Sequence, residues 1–353
     1  REWEQRRRQI LEAVQLVMGE LPGDERRGPL DIEVIEDVDV GTYRRRLITY
    51  QSEPGCRTPA YLCIPKAALA GERKAPAVLC LHPTDNRVGH KVVVGLGGRE
   101  GRAYAAELAE RGYVTLAPAY PQLANYQPDV LGLGYASGSM KAIWDNIRGL
   151  DLLASLPYVD DSHGFAAIGH SLGGHNAIYT AVFEKMTAKS SSAGSRGFAA
   201  FGYTVAAHTA IYTAVFDPRI RVVVTSCGFD SYQDYYDGDD ANWQPGRGWC
   251  QVRYMPRMAD YRGRLDEIPF DFPELLAALA PRPVDINAPV NDNNFRAASV
   301  DRCVAGARKV YELLDAEGEI IVRHPDCGHN FPKSLREESY RLIDSVLMPV
   351  EQP

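Results

Sequence analysis

Between residues 164 and 183 the chain passes from the apolar run Gly164 to Ile168, through Gly169-His170-Ser171-Leu172-Gly173-Gly174, into a helix-like run that ends at Phe183. A strand that turns into a helix through one tight glycine-rich step is the building unit of an α/β chain. The rest of the sequence repeats that alternation. Strand-like runs are expected at 60–64, 77–81, 114–117, 220–225, 284–288 and 320–322, with helices at 102–111, 140–156, 174–183, 300–315 and 335–346. This order predicts a mostly parallel sheet covered by helices on both faces.

At 353 residues and 45% hydrophobic content the chain can bury a sizeable core. Residues 1–50 read as an N-terminal extension, with a charged helix over 6–18, a break at Pro22-Gly23 and β-like segments after it, packed on a main domain over 51–353. Residues 229–272 interrupt the rhythm. They are rich in Tyr, Trp, Asp, Gly and Pro, and so many aromatics in an irregular stretch predict a lid or substrate wall rather than disorder.

One segment is duplicated in tandem. Residues 164–183 return as 197–216, and the first copy differs from the second only at positions 168, 170, 171, 172, 173, 174 and 176. Most of these changes gather at the turn, where His170, Ser171, Leu172, Gly173 and Gly174 become Tyr203, Thr204, Val205, Ala206 and Ala207. A β-branched Thr suits a strained turn poorly, so Ser171 is expected to be the reactive residue and Thr204 not. The insert, about 184–216, is expected either to bulge out before the 220–225 strand or to dock on a neighbouring chain and give a swapped homodimer.

A formal charge of -7 argues against nucleic acid or an anionic membrane as partner, because both require a basic field. No apolar run approaches the roughly 18 residues needed to cross a bilayer, so a soluble protein is expected. The charged start Arg1-Glu2-Trp3-Glu4 is unlike a signal peptide, yet residue 1 is not Met, which leaves cytoplasmic and exported locations both open. Seven scattered cysteines show no paired metal-type spacing. Asp237-Gly238-Asp239-Asp240 lacks the spaced ligands of a calcium loop, and Gly95-Leu96-Gly97-Gly98 lacks the dinucleotide fingerprint. Neither metal nor cofactor is expected.

The chemistry points elsewhere. A serine attacks an ester only if its hydroxyl stands free of the backbone ladders and a base takes its proton, and Gly169-His170-Ser171-Leu172-Gly173 is the sequence form of the turn that achieves the first condition. The base is expected at His329, in Cys327-Gly328-His329 after the last strand. The acid that orients it is expected at Asp292, after the preceding strand, with Asp230 next in rank; Asp326 is too close to the histidine in sequence, and Asp285 lies inside a strand. The developing oxyanion needs two backbone N–H donors, for which Leu172 and Thr84 are the candidates, since Pro83 has none.

These pieces resemble the α/β-hydrolase superfamily, in the branch of dienelactone hydrolases and acetyl xylan esterase-like proteins. The resemblance covers roughly residues 55 to 350 and rests on Leu81-His82-Pro83-Thr84, Ala117-Pro118-Ala119-Tyr120-Pro121, Gly169 to Gly174, Asn291-Asp292-Asn293-Asn294 and Cys327-Gly328-His329. It implies a metal-free acyl-enzyme mechanism on short-acyl esters, acetylated carbohydrate among them. Dienelactone hydrolases use Cys as nucleophile, so Ser171 moves this chain toward the esterases. The family has one copy of the duplicated segment. Two other functions compete with a small-molecule or carbohydrate esterase: an oligopeptidase-like serine peptidase, and an inactive hydrolase fold that only binds.

Overall fold

In the strand Ala77–Leu81 every residue is buried. Ala77, Leu79 and Leu81 enter one apolar core while Val78 and Cys80 enter a second. A strand buried on both sides must be covered on both sides, and that requirement fixes the layering. The computed structural model describes residues 2–187 and 219–349. Among them run the strands β1 Glu33–Asp39, β2 Tyr43–Glu53, β3 Cys56–Pro65, β4 Ala77–Leu81, β5 Val114–Pro118, β6 Phe165–His170, β7 Ile220–Ser226, β8 Val284–Asn287 and β9 Ile320–Arg323. The helices are α1 Glu2–Met18, α2 Lys66–Leu69, α3 Tyr104–Glu110, α4 Gly138–Ser155, α5 Leu172–Thr187, α6 Phe272–Leu279, α7 Ala297–Leu313 and α8 Lys333–Leu347.

All nine strands form one sheet in the order β1-β2-β3-β5-β4-β6-β7-β8-β9. The first three pair antiparallel, and β3 pairs antiparallel with β5. From β5 through β9 the pairs are parallel. Helices α1, α4, α5, α6 and α7 contribute to the larger core, and α3 and α8 to the core on the other face. The boundary expected at residue 50 falls inside β2, because the hairpin of β1 and β2 extends the sheet itself. Helix α1 packs on that assembly through Leu11, Val14, Val17 and Met18.

Strands β5 and β6 lie on opposite sides of β4, so the chain leaves β4 in one direction and later returns on the other. The crevice outside the carboxyl ends of strands at such a switch is where α/β sheets bind ligands. The loops after β4, β6, β7, β8 and β9 all open at that edge.

Residues 229–272 fold as successive short 3₁₀ turns, among them Tyr235–Gly238, Asp240–Trp243 and Gly248–Cys250. Their rings hold them together: Trp249 lies stacked at 4.4 Å on His175 and edge-on at 5.5 Å to Tyr254. Ring packing substitutes here for a regular ladder. No helix among the described residues is long and apolar enough to cross a membrane. The first copy of the duplicated segment supplies β6 and α5, between β4 and β7. The second copy, 197–216, lies outside the described residues, and so does the expected swapped dimer.

Candidate active site

Strand β6 ends at His170 and α5 begins at Leu172, so Ser171 alone makes the turn. It does so at φ 55°, a left-handed conformation that residues with a Cβ seldom adopt. The backbone is held there from both sides. The Ser171 N–H donates to Ser226 O of β7 at 2.8 Å, and Ser171 O accepts the His175 N–H at 3.0 Å. Glycines make the turn possible: a Cβ on Gly173 would overlap the Leu81 carbonyl oxygen of β4, and one on Gly169 would overlap the carbonyl of Gly173. Ser171 stays partly exposed while the residues before and after it are buried.

His329 follows β9, and its Nδ1 lies 2.9 Å from Asp292 Oδ2 and 3.0 Å from Oδ1. A carboxylate accepts only, so Nδ1 carries the proton and Nε2 is left to act as a base. The Asp292 side chain is 0% exposed. Burial pushes its carboxyl up, but the hydrogen bond and charge of His329 and the N–H groups of Asn294 and Phe295 outweigh that and hold it below its usual range. Those two N–H groups reach Asp292 Oδ1 at 2.8 and 3.2 Å. The His329 ring sits 4.9 Å, edge-on, from the ring of His170, the residue before Ser171.

Thr84 lies on the loop leaving β4, where its hydroxyl shares a hydrogen bond with Tyr254 OH at 3.0 Å. His82 shapes that loop. Its Nδ1 meets Pro83 O at 2.8 Å while Nε2 accepts the Tyr120 N–H at 3.0 Å. Burial pulls it down to about 4, so it stays a neutral structural group. Leu172 opens α5, and first-turn N–H groups have no acceptor within their helix.

The other acids take other work. Asp285 is buried in β8, where it pairs with Arg323 and accepts the Ser339 hydroxyl at 2.6 Å. Asp326 accepts from Asn291 at 2.7 Å. Asp230 is 2% exposed and, among the described residues, accepts only the Arg296 N–H at 3.3 Å and has no partner at Oδ1. Burial together with the charges of Asp234, Asp271 and Asp292 pushes its carboxyl up to about 8. The Asp237 to Asp240 run is a surface turn in which Asp239 Oδ1 accepts the Ala241 N–H.

Several residues that the sequence reading passed over hold the His329 loop. Asn287, the last residue of β8, donates to Asn330 O at 2.9 Å and to Ser226 Oγ at 2.7 Å. Cys227 Sγ also donates to Asn330 O, at 3.4 Å, from a backbone at φ 48°. Arg336 of α8 donates to Phe331 O at 2.7 Å. The available signal was the polar end of each strand, Thr225-Ser226 after Val222-Val223-Val224 and Asn287 after Ile286. Among the described residues, Cys227, Asp292 and His329 bring a sulfur, an oxygen and a nitrogen within 4.8 Å of one another. A cation there would compete with the Asp292–His329 hydrogen bond.

No family model matches the chain, and no curated protein matches it in sequence. Solved structures do match. The glucuronoyl esterase from Solibacter usitatus has a TM-score of 0.68 at 18% identity, over 96% of this chain and 91% of that one. A carbohydrate esterase family 15 glucuronoyl esterase from Caldicellulosiruptor kristjansonii gives 0.64 at 16%, over 99% and 87%. Acetyl Xylan Esterase 1 from Thermoanaerobacterium sp. gives 0.54 at 16%, over 97% and 94%. The chain has the α/β-hydrolase fold that the Gly169 to Gly174 turn led one to expect.

Proposed function

We propose that the chain is a serine carboxylesterase that acts on short-acyl esters, acetylated carbohydrate in particular, without a cofactor. The catalytic residues all lie within 51–353, with the hairpin that precedes them extending the same sheet, and 229–272 form a wall of the substrate site. Ser171 Oγ attacks the ester carbonyl carbon while His329 Nε2 takes its proton; the leaving alkoxide then collects that proton and departs as an alcohol. Water, deprotonated by His329, attacks the acyl-serine and releases the acid. Asp292 stabilises the imidazolium in each half, and the Leu172 and Thr84 N–H groups receive the oxyanion.

The observation that carries this reading is the strained Ser171, at φ 55°, on the same sheet edge as a histidine oriented by a buried carboxylate. The esterase likenesses, to proteins named for glucuronoyl and acetyl xylan esters, favour a carbohydrate ester over a peptide. The test is hydrolysis of p-nitrophenyl acetate, longer acyl esters and an aminoacyl amide by the native protein and by Ser171→Ala. Acetate should be cleaved fastest, and Ser171→Ala should lose about 10⁴-fold or more in kcat/KM. Activity retained in Ser171→Ala would sink the proposal, and preference for the amide would turn it toward a peptidase.

A further inference from the structure

Resting on that esterase reading, we infer that Arg102 is a positioning residue for the general base: its guanidinium fixes the backbone of His329 so that the imidazole faces both Asp292 and Ser171.

Arg102 precedes α3 and is 4% exposed. Its Nη2 donates to the carbonyl oxygen of His329 at 3.0 Å, and its Nη1 donates to Asn330 Oδ1 at 2.8 Å and to Gly101 O at 3.4 Å. One planar group therefore spans two successive residues of the loop, which the rigid fork of an arginine does and the single point donor of a lysine does not. A second arginine makes the contrast. Arg336 holds Phe331 O on the same loop, and Glu107 meets it with both carboxylate oxygens, at 2.8 and 2.9 Å. Arg102 has no carboxylate within salt-bridge reach among the described residues, and burial lowers its pKa.

A buried cation bonded only to neutral oxygens costs desolvation that no countercharge repays. For stability alone, a neutral donor would hold those oxygens at lower cost. What the arginine adds is geometry at one place, the backbone of the residue whose side chain must move a proton. Together with Asn287 and Cys227 on Asn330 O and Arg336 on Phe331 O, it completes a set in which three successive carbonyls, at 329, 330 and 331, each meet a side-chain donor. A base displaced by about 1 Å loses on the order of 10²-fold in rate while substrate binding is little changed.

The experiment compares Arg102→Gln, Arg102→Lys and Asn330→Ala on p-nitrophenyl acetate, with kcat expressed per active site titrated by the acyl-enzyme burst and with melting followed in parallel, and Ser171→Ala, which forms no acyl-enzyme, with its rate expressed per mole of protein. Arg102→Gln should lose about 10- to 100-fold in kcat with KM within about twofold, and Arg102→Lys should recover part of that loss. Asn330→Ala, which leaves the bond to the His329 carbonyl in place, should lose less than Arg102→Gln. An Arg102→Gln kcat per titrated site within twofold of the native value would overturn the inference, as would a raised KM at unchanged kcat. If Arg102→Gln is too poorly folded to assay, the inference stands or falls on Arg102→Lys: full kcat per titrated site there overturns it. Activity retained by Ser171→Ala would overturn both the esterase reading and this inference, whereas a Ser171→Ala loss with an indifferent Arg102 would overturn the inference alone.

Discussion

The loops leaving β7 and β8 each carry a buried aspartate, and the two have opposite chemistry. Asp292 meets an imidazole and two backbone N–H groups, and its carboxyl is held below 3.8 despite burial. Asp230 meets one long N–H bond and three neighbouring acids, and burial pushes it up to about 8. At neutral pH one is a carboxylate and the other a neutral acid. Residue type and position after a strand do not separate them; the count of donors aimed at each carboxyl does.

The largest consequence is in activity. Asp292→Asn removes the acceptor that fixes the His329 tautomer and should lower kcat on p-nitrophenyl acetate by about 10⁴-fold. Asp230→Asn replaces a neutral acid by a neutral amide and should leave kcat within about threefold. If Asp230→Asn proved the damaging change, the assignment of the two acids would be reversed.

Stability against pH sharpens the contrast, because the signs differ. Asp292 sits below its unfolded value of 3.8, so it contributes stability above about pH 4 that is lost on acidification. Chemical denaturation of Asp292→Asn should therefore show a deficit at pH 7 that shrinks as the pH falls toward 3. Asp230 sits near 8 folded against 3.8 unfolded, so it costs stability increasingly from about pH 4 to pH 8. Asp230→Asn should gain on the native protein across that window, by up to a few kcal/mol, and level off above it. A gap that ignores pH would show that Asp230 is ionised in the fold.

Asp285, the buried acid inside β8, gives the smallest effect. Burial raises it even though Ser339 donates to it and Arg323 pairs with it. Ser339→Ala removes one bond from a group remote from the chemistry and should cost about 1 kcal/mol in unfolding free energy, with kcat unchanged. A change in kcat would tie this pair to the site.

Much of this was legible beforehand, and for identifiable reasons. β4 coincides with the expected run at 77–81, since a strand buried on both faces is apolar at every position. Ser171 stood out because close approach demands glycine at 169 and 173, and glycine leaves a mark in sequence. The hairpin of β1 and β2 was legible only as β-like segments of an extension, without bounds: β1 is exposed along nearly its whole length, so no apolar period marks where it starts and stops. Of the clasp on the His329 loop only Asn287 left a mark, as the polar end of β8; Arg102 and Arg336 left none, because they act on backbone carbonyls and any residue supplies a carbonyl. Choosing between Asp292 and Asp230 needed the same missing information, where the donors point.

The turn at Ser171 depends on neighbours that lie outside its own segment. Leu81 leaves space only for a glycine at 173, and Ser226 takes the Ser171 N–H. Copying residues 164–183 copies the plug but not the socket, and β4 and β7 form a socket already filled by the first copy. The second copy has alanine, Ala206, where the first has Gly173, and a methyl group placed at 173 would meet the Leu81 carbonyl. The differences between the two copies gather where the packing demand on the first is strictest.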